Sequence, residues 1–400
     1  MNAVRDMKTA WLIIRVDGKC GFVDATGEER LPPLYDFVRK LGDDRIFARD
    51  GDKGLMLNGT GELLFEVDAQ VVMPSREGRA GFMRKGGSWG FIDDNGTVVV
   101  EPTLRGIWEG HEDGVVRVMD GRGRECLVDL DGQEVFPDAK EIPQSPRAGL
   151  VPFRAANKKW GLYSVRKREV VVEPSYANIF GPHQRGAHWI LKKAAKKWGA
   201  ADSEGSIVIE PKLPWLGPIC EDRGATRNAA GAVGFVDAAG ALVVEHQFES
   251  RRTQDDMSCF SDGRCAVQKD GKIGFIDRAG TLVVEPRWVN GHSFGEGRGV
   301  VVDEGGCTYV DEQGVPITED RFRRAETFAG GIGVVTTVGG MGAVRRDGAM
   351  VVPPVYQFVS VSDGVLQVQD PAGHDAYYRA DGSTIWRHAK FEQDLSPALI

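Results

Sequence analysis

A motif of fourteen residues recurs along this chain in one reading frame, and the repetition limits the possible folds more than any other feature of the sequence. Residues 89–102 read WGFIDDNGTVVVEP, and residues 273–286 read IGFIDRAGTLVVEP. A period of about 20–50 residues is typical of arrays and propellers whose units stack on one another. Related copies, spaced about 35 residues apart, lie at eleven positions: Gly21, Gly54, Gly90, Cys126, Gly161, Gly199, Gly234, Gly274, Thr308, Gly342 and Ala376.

Each copy has the features of a β-hairpin. An apolar strand such as Phe91-Ile92 leads into an Asp-x-x-Gly turn, in which Asp favours the first position and Gly the last. A second strand rich in Val and Ile follows. Because proline cannot donate to a ladder, we expect a proline to end this strand. Such a proline follows the first glycine of six copies by twelve or thirteen residues, at positions 33, 102, 174, 211, 286 and 354.

A third strand precedes the hairpin, because Phe-x-x-Gly segments such as 260–263, 294–297 and 328–331 lead into further apolar runs. The sequence therefore predicts an all-β protein of about eleven three-stranded antiparallel meander repeats. We favour an open superhelical, solenoid-like array, because eleven units exceed the roughly 4–8 blades of an ordinary propeller. A β-propeller, or two propeller-like sub-arrays, is the alternative.

The spacing of the repeats suggests a domain division. Residues 1–211 hold repeats 1–6 as a first sub-array, and residues 212–386 hold repeats 7–11 as a second, continuous with the first. The stretches 211–232 and 246–258 are expected to be irregular insertions near the division. The tail, residues 387–400, is expected to form a short helix that caps the last repeat.

These units resemble the WG-repeat (KWG-repeat) family of mainly bacterial proteins. The resemblance is carried by Ser88-Trp89-Gly90, Lys159-Trp160-Gly161 and Lys197-Trp198-Gly199, together with the Asp-x-x-Gly turns that follow. It covers about residues 19–386, although tryptophan is present in only three of the eleven copies. Val, Ile, Met and Cys replace it in five copies, which indicates a packing position, whereas Lys53, Glu125 and Asp375 in the weakest copies indicate frayed or exposed units. The resemblance implies repeated β-structure and usually no catalytic activity.

The charge of the chain is unevenly distributed. The net charge is −8, yet residues 147–200 contain 12 Lys and Arg against 2 Asp and Glu. We interpret this basic segment as a candidate stripe for a protein partner, or alternatively for nucleic acid or another anion. The other interpretation is a solvated face whose charges deter aggregation. The candidate residues are Lys158, Lys159, Arg166, Lys167, Arg168, Lys192, Lys193, Lys196 and Lys197.

No residue pattern indicates catalysis. The seven histidines lack metal-ligand spacing, and the repeated Asp residues are explained by their turns. We therefore expect no catalytic residues, no metal and no cofactor. A further alternative is a glycan or small-molecule site that uses exposed tryptophans as stacking platforms, with Trp108, Trp189, Trp215 and Trp288 as candidates.

These observations predict a non-enzymatic scaffold that binds one or more proteins with a basic or bipolar surface. An immunity or inhibitor protein that binds a toxin or effector domain is one form of that hypothesis. Nucleic acid is a weaker candidate, because the residues outside the basic segment sum to −18. The short apolar stretch near the N-terminus does not have the features of a signal peptide. We therefore expect a cytoplasmic protein that has no membrane partner and no disulfide framework.

Overall fold

The structure, a computed structural model, describes residues 11–42, 44–108, 111–183, 186–250, 259–292 and 294–392. Within these ranges the chain forms 39 strands and no helix. The strands make eleven small antiparallel sheets, one for each repeat, and strands adjacent in a sheet are adjacent in sequence. The predicted all-β repeat architecture is therefore confirmed. In the described residues, no helix is long and apolar enough to cross a membrane.

The strands are numbered in chain order, and the sheets are numbered from 1 to 11. Sheets 1 to 4 contain β1 (Trp11–Val16), β2 (Lys19–Asp24), β3 (Glu29–Tyr35); β4 (Phe37–Gly42), β5 (Arg45–Asp50), β6 (Lys53–Asn58), β7 (Leu63–Val67); β8 (Val71–Val72), β9 (Arg79–Met83), β10 (Trp89–Asp93), β11 (Val98–Leu104); β12 (Gly106–Ile107), β13 (Val115–Met119) and β14 (Glu125–Asp129).

Sheets 5 to 7 contain β15 (Leu150–Arg154), β16 (Trp160–Ser164), β17 (Glu169–Tyr176); β18 (Asn178–Phe180), β19 (Trp189–Ala194), β20 (Lys197–Ala201), β21 (Ile207–Leu213); β22 (Leu216–Cys220), β23 (Arg223–Arg227), β24 (Val233–Asp237) and β25 (Leu242–Phe248). Sheets 8 and 9 contain β26 (Cys265–Lys269), β27 (Lys272–Ile276), β28 (Leu282–Trp288); β29 (Asn290–Gly291), β30 (Gly299–Asp303) and β31 (Gly306–Val310). Sheets 10 and 11 contain β32 (Arg324–Ala325), β33 (Ile332–Thr336), β34 (Met341–Arg345), β35 (Met350–Tyr356); β36 (Phe358–Ser362), β37 (Val365–Gln369), β38 (Asp375–Arg379) and β39 (Thr384–Arg387).

The chain divides into two compact units. Unit 1 consists of Met1–Pro33, Cys220–Asp237 and Ala241–Ile400, and unit 2 consists of Leu34–Ile219 with Ala238–Gly240. Residues 211–232, which we expected to be irregular, instead contain β22 and β23. That expectation was wrong because Gly and Pro interrupt the apolar residues of β22, and β23 reads Arg-Gly-Ala-Thr-Arg, so neither strand shows the apolar alternation by which strands are recognised. Of the second expected insertion, residues 251–258 lie outside the described part of the chain.

The Asp-x-x-Gly turns have the predicted construction. In sheet 3, Asp93 Oδ1 accepts the backbone N–H groups of Asn95 at 2.9 Å and Thr97 at 2.8 Å. Gly96 has a φ of 84° and donates its N–H to the Asp93 carbonyl at 3.1 Å. The side chain therefore satisfies turn N–H groups that no strand partner reaches, which is why Asp and Gly recur together.

The prolines do not end the outer strands, so that prediction was wrong. In sheet 8, β28 continues through Pro286 to Trp288, and the register with β27 shifts between the Ile273 and Phe275 rows. The shift is a β-bulge, a place where a missing N–H is tolerated. The bulged backbone is in close contact with Gly274, the glycine of the Trp-Gly position. A Cβ at Gly274 would be only 2.6 Å from the Val284 carbonyl oxygen. This contact explains the repeated glycine.

Adjacent repeats are joined by carboxylates in tight turns. In unit 2, Glu77 Oε2 accepts the Gly114 N–H of the next repeat at 2.8 Å. In unit 1, Asp262 accepts the Gly297 N–H at 2.9 Å, and Glu296 accepts the N–H groups of Gly330 and Gly331 at 2.7 Å each. The acceptor residues have φ near 53°, as the first central residue of a type I′ turn does. In these pairs, the earlier repeat thus accepts hydrogen bonds from the next one.

In unit 1, the last repeat packs against the first. Tyr377 donates its hydroxyl hydrogen to the Ile13 carbonyl at 2.6 Å, and Arg379 donates to the Ala25 carbonyl at 2.9 Å. The buried cluster beneath them combines both repeats, as Ile14, Val23, Val365, Tyr377 and Ile385. An open array would hold its terminal repeats apart. This contact therefore agrees with the propeller-like alternative.

Two features near the second half of the chain were not expected. Cys220 and Cys259 are joined by a disulfide, whereas Cys20, Cys126, Cys265 and Cys307 remain thiols. The tail has no helix over residues 387–392, and the remainder of the predicted helix, residues 393–400, lies outside the described residues. Phe391 is buried and stacks on Tyr356 with the ring centres 5.6 Å apart.

Candidate functional site

Sheets 5 and 6 of unit 2 carry the basic segment, and they pack face to face through an apolar core. Trp160 lies half-buried at its edge. Because the two sheets follow one pattern, their corresponding hairpins project at the same end of the pair. The fully buried residues of this core are Leu150, Leu162, Val172, Tyr176, Ile179, Trp189, Leu191 and Ala201.

Six predicted lysines lie on or beside these hairpins. Lys158 and Lys196 occupy corresponding left-handed positions, with φ of 62° and 56°, and Lys159 and Lys197 follow them. Lys192 and Lys193 lie on β19, which leads into the second hairpin. All six are exposed except Lys192, which is half-buried. We call this set the lysine hairpins.

The lysine hairpins have no carboxylate partner. None of the six ammonium groups forms an ion pair with an Asp or Glu in the described ranges. In the corresponding region of sheet 3, by contrast, Lys85 pairs with Asp52 at 3.0 Å and Arg84 pairs with both Asp68 and Glu101. The positive charge of the lysine hairpins is therefore available to a partner, while that of Arg84 and Lys85 is neutralised within the chain.

The other three predicted residues lie at the opposite end of sheet 5. Arg166 pairs with Asp113 at 2.8 Å, and Lys167 pairs with Glu204 at 3.2 Å. Arg168 occupies a left-handed position in the same turn, with φ of 56°. The strand β16 separates this turn from the lysine hairpins by roughly 15–20 Å. The structure therefore divides the predicted stripe into six unpaired lysines and a turn whose charges bridge neighbouring sheets.

An aromatic cluster lies beside the second lysine hairpin. Phe180 is 41% exposed and stacks on Trp198, with ring centres 5.7 Å apart and an angle of 11° between the planes. Trp215 meets Trp198 at 6.5 Å and 55°. The Lys192 ammonium lies 5.1 Å from the centre of the Trp198 ring, within cation–π range. We call Phe180, Trp198 and Trp215 the aromatic cluster.

A second lysine has an aromatic neighbour. Lys193 Nζ lies 6.0 Å from the centre of the Tyr176 ring. Burial, followed by the negative charge of Glu210, raises the pKa of the Tyr176 hydroxyl. The phenol therefore stays neutral and offers Lys193 a π face, not an ion pair. This leaves the charge of Lys193 uncompensated.

The tryptophans proposed as stacking platforms fall into two groups. Trp189 and Trp288 are 0% and 6% exposed, so their prediction as exposed platforms was wrong. Both are covered by packing between neighbouring strands, which is not visible in their local sequence. Trp108 is 40% exposed and carries the Arg117 guanidinium 4.6 Å from its ring centre, and Trp215 is half-buried in the aromatic cluster. Phe180 was missed because a single exposed Phe at the end of the short segment Asn178–Phe180 carries no pattern.

Comparisons with known proteins identify the repeat. The family model described as "WG containing repeat" matches residues 21–53, 89–121, 234–272 and 273–307, which confirms the resemblance seen in the sequence. No curated protein matches the chain.

Several solved structures match the chain with low identity and low scores. They include a eukaryotic initiation factor, with 10% identity over 95% of this chain and 96% of that chain and a TM-score of 0.40. The computationally designed Ika8 protein has 12% identity over 69% of this chain and 96% of that chain, with a TM-score of 0.34. BamB from Moraxella catarrhalis has 11% identity over 92% and 96%, with a TM-score of 0.28. Scores this low support no functional comparison.

Proposed function

This chain is a WG-repeat protein, and from that premise we propose that it is a non-enzymatic scaffold whose lysine hairpins bind a protein partner. The observation that carries the proposal is a set of six lysines on two adjacent sheets that pair with no carboxylate in the described part of the chain. Their local charge contrasts with the −8 of the whole chain. A partner with an acidic patch and a more basic remainder complements both parts.

The chemistry of the lysines favours rapid association. Exposed charges contribute little to affinity one by one, about 0.2–1 kcal/mol for each pair. As a group they steer an oppositely charged partner and make the association rate sensitive to salt. A cytoplasmic inhibitor of a toxin or effector domain is a narrower form of the proposal, and identifying the captured partner tests it.

The test compares charge reversal at the site with the same change at a matched position. Lys196→Glu with Lys197→Glu alters the β19–β20 hairpin, and Lys269→Glu with Lys272→Glu alters the corresponding exposed hairpin of sheet 8. The immobilised full chain and the sheet 8 variant should retain the same stoichiometric protein from native cells. The sheet 6 variant should retain at least about tenfold less, which corresponds to 1.4 kcal/mol.

Equal retention by all three proteins would refute the role of the lysine hairpins. Failure of the parent chain to retain any stoichiometric protein would refute the scaffold proposal itself. Equal melting temperatures for the three proteins would exclude unfolding as the cause of a lost partner.

Single-stranded nucleic acid is a second candidate, favoured by aromatic rings among unpaired lysines. Binding of this kind weakens steeply with salt, because neutralised phosphates release counterions. Anisotropy of labelled oligo-dT and oligo-U at two salt concentrations tests it. Binding that is lost in the Lys196→Glu, Lys197→Glu variant would support this candidate, and no binding by the parent would remove it.

A further inference from the structure

We propose that the aromatic cluster and Lys192 form a binding site for an acidic protein segment that carries an aromatic side chain. The ring of that side chain stacks on the free face of Phe180, and the neighbouring carboxylates pair with the lysine hairpins. The inference rests on the proposed scaffold function and specifies the chemistry of its partner.

The fold does not require an aromatic ring at Phe180. In sheet 6, Asn178 pairs with Lys192 in the row of the Trp-Gly tryptophan, and Phe180 lies two residues further along β18, opposite Ile190. By the same register, Glu326 is the corresponding residue in sheet 10 and Ser360 is the corresponding residue in sheet 11. An exposed position that accepts a carboxylate or a hydroxyl is free to vary. The fold therefore allows an aromatic ring at this position without requiring one.

The three rings are held firmly, which reduces the entropy lost on binding. Phe180 belongs to β18 and Trp198 to β20, so both rings are carried by paired strands. Trp215 lies over Gly217, where a Cβ would be 2.8 Å from the Trp215 ring. Only glycine leaves room for that ring. The cluster thus presents an ordered aromatic surface without the ligand.

The occupied π face limits the kind of ligand. The Lys192 ammonium already lies over the Trp198 ring, so a cationic group would be repelled from the same place. An anionic group would instead pair with Lys192 and with the lysine hairpins around it. The ligand is therefore aromatic and negatively charged.

A protein segment fits this description better than nucleic acid does. The residues outside 147–200 sum to −18, so the rest of the chain repels a long polyphosphate. An acidic segment of a protein concentrates its negative charge at one place and can be positively charged elsewhere. The distribution of charge in the chain therefore favours an acidic protein segment over nucleic acid as the ligand.

The experiment uses two polymers as probes. The full chain is titrated with poly-L-glutamate and with a glutamate–tyrosine copolymer of equal length, and binding is followed by tryptophan fluorescence and calorimetry. We expect the copolymer to bind about 3–10-fold more tightly, since an aromatic pair adds that factor beyond burial. Phe180→Ala and Phe180→Leu should remove the difference while leaving the affinity for poly-L-glutamate unchanged. Phe358→Ala, at a residue 43% exposed in sheet 11, is the matched control and should keep the difference.

Each result decides the inference. Equal affinity of the parent for both polymers, no binding of either, or a retained difference in Phe180→Ala would overturn it. Tighter binding of oligo-dT than of the copolymer would assign the site to nucleic acid and would also overturn it. If poly-L-glutamate binds and tyrosine adds nothing, the inference fails while the lysine hairpins retain their role. Loss of the natural partner on charge reversal is measured separately, so the two failures are distinguishable.

Discussion

The glycine of the Trp-Gly position can be tested with one added methyl group, in the variant Gly274→Ala. The new Cβ would lie 2.6 Å from the Val284 carbonyl oxygen and 2.8 Å from Pro286 N. Both atoms belong to backbone, so no side chain can rotate away. β28 must instead move by roughly half an ångström. This movement is opposed by the pairing of β28 with β27 on both sides of Gly274, at Ile273↔Trp288 and Phe275↔Val284.

The expected cost follows from these contacts. Inserting a methyl group into a closely packed site costs about 1–3 kcal/mol, and weakening one ladder hydrogen bond adds about 0.5–1.5 kcal/mol. Alanine recovers about 0.4–1 kcal/mol by restricting the unfolded chain. The free energy of unfolding should therefore fall by about 2 kcal/mol, the centre of the combined range. Gly42→Ala is the control, because a Cβ there has nothing within 4 Å.

Urea unfolding followed by tryptophan fluorescence measures the effect. With an m-value of about 2–3 kcal/mol/M, the midpoint should fall by about 1 M in Gly274→Ala and stay nearly unchanged in Gly42→Ala. Gly234→Ala, whose Cβ would be 2.5 Å from the Val244 carbonyl oxygen, should match Gly274→Ala. Equal midpoints for Gly274→Ala and Gly42→Ala would show that the bulge does not require glycine.

Three further predictions concern the links between repeats, the turns and the cysteines. Glu296→Ala removes the acceptor of two N–H groups of the next repeat and should lower the free energy of unfolding by about 1–3 kcal/mol in urea, whereas Glu304→Ala at an exposed site should not. Burial of Asp24 opposes its ionisation, but hydrogen bonds from Thr26 and Arg30 outweigh this effect and lower the pKa of Asp24 to about 2. The ionised carboxylate therefore contributes about 2 kcal/mol to the free energy of unfolding. This contribution is full above pH 4 and is lost as the pH falls toward 2. Asp24→Asn should flatten that acid limb of the stability curve; an unchanged limb would contradict this reasoning. Alkylation of the unfolded, unreduced protein should label the four cysteines outside the disulfide, and reduction should raise the number to six; six labels without reduction would show that Cys220 and Cys259 are not joined.

The parts of the fold that sequence could predict are local ones. Asp93 forms hydrogen bonds with residues two and four positions away, and the apolar strand that contains Phe91 can be recognised within five residues. Such features recur unchanged in every well-preserved repeat, so eleven copies reinforce each other. The bulge at Pro286 depends on how β28 pairs with β27, and the burial of Trp189 depends on sheet 5 packing against sheet 6. Neither relation is present in one segment of sequence.

The candidate site shows the same distinction. Corresponding lysines in two repeats, such as Lys158 and Lys196, could be matched because they precede the same Trp-Gly motif. Arg166 is separated from these lysines by the length of β16, and that length can be recognised in the sequence. The ion pair between Arg166 and Asp113 joins two repeats, so neither repeat predicts it alone. The role of Phe180 depends on its stacking against Trp198, which lies eighteen residues later in the chain and two strands away.

The contact between the last and first repeats bears on how such a chain can evolve. Where terminal repeats stand apart, duplication or loss of one repeat changes only the length. Here Tyr377 and Arg379 already hold the first repeat, so one repeat more or fewer must break those hydrogen bonds or re-form them at a different spacing. The number of repeats is thereby constrained as a whole. Individual repeats remain free to diverge, as the loss of tryptophan from eight of the eleven copies shows.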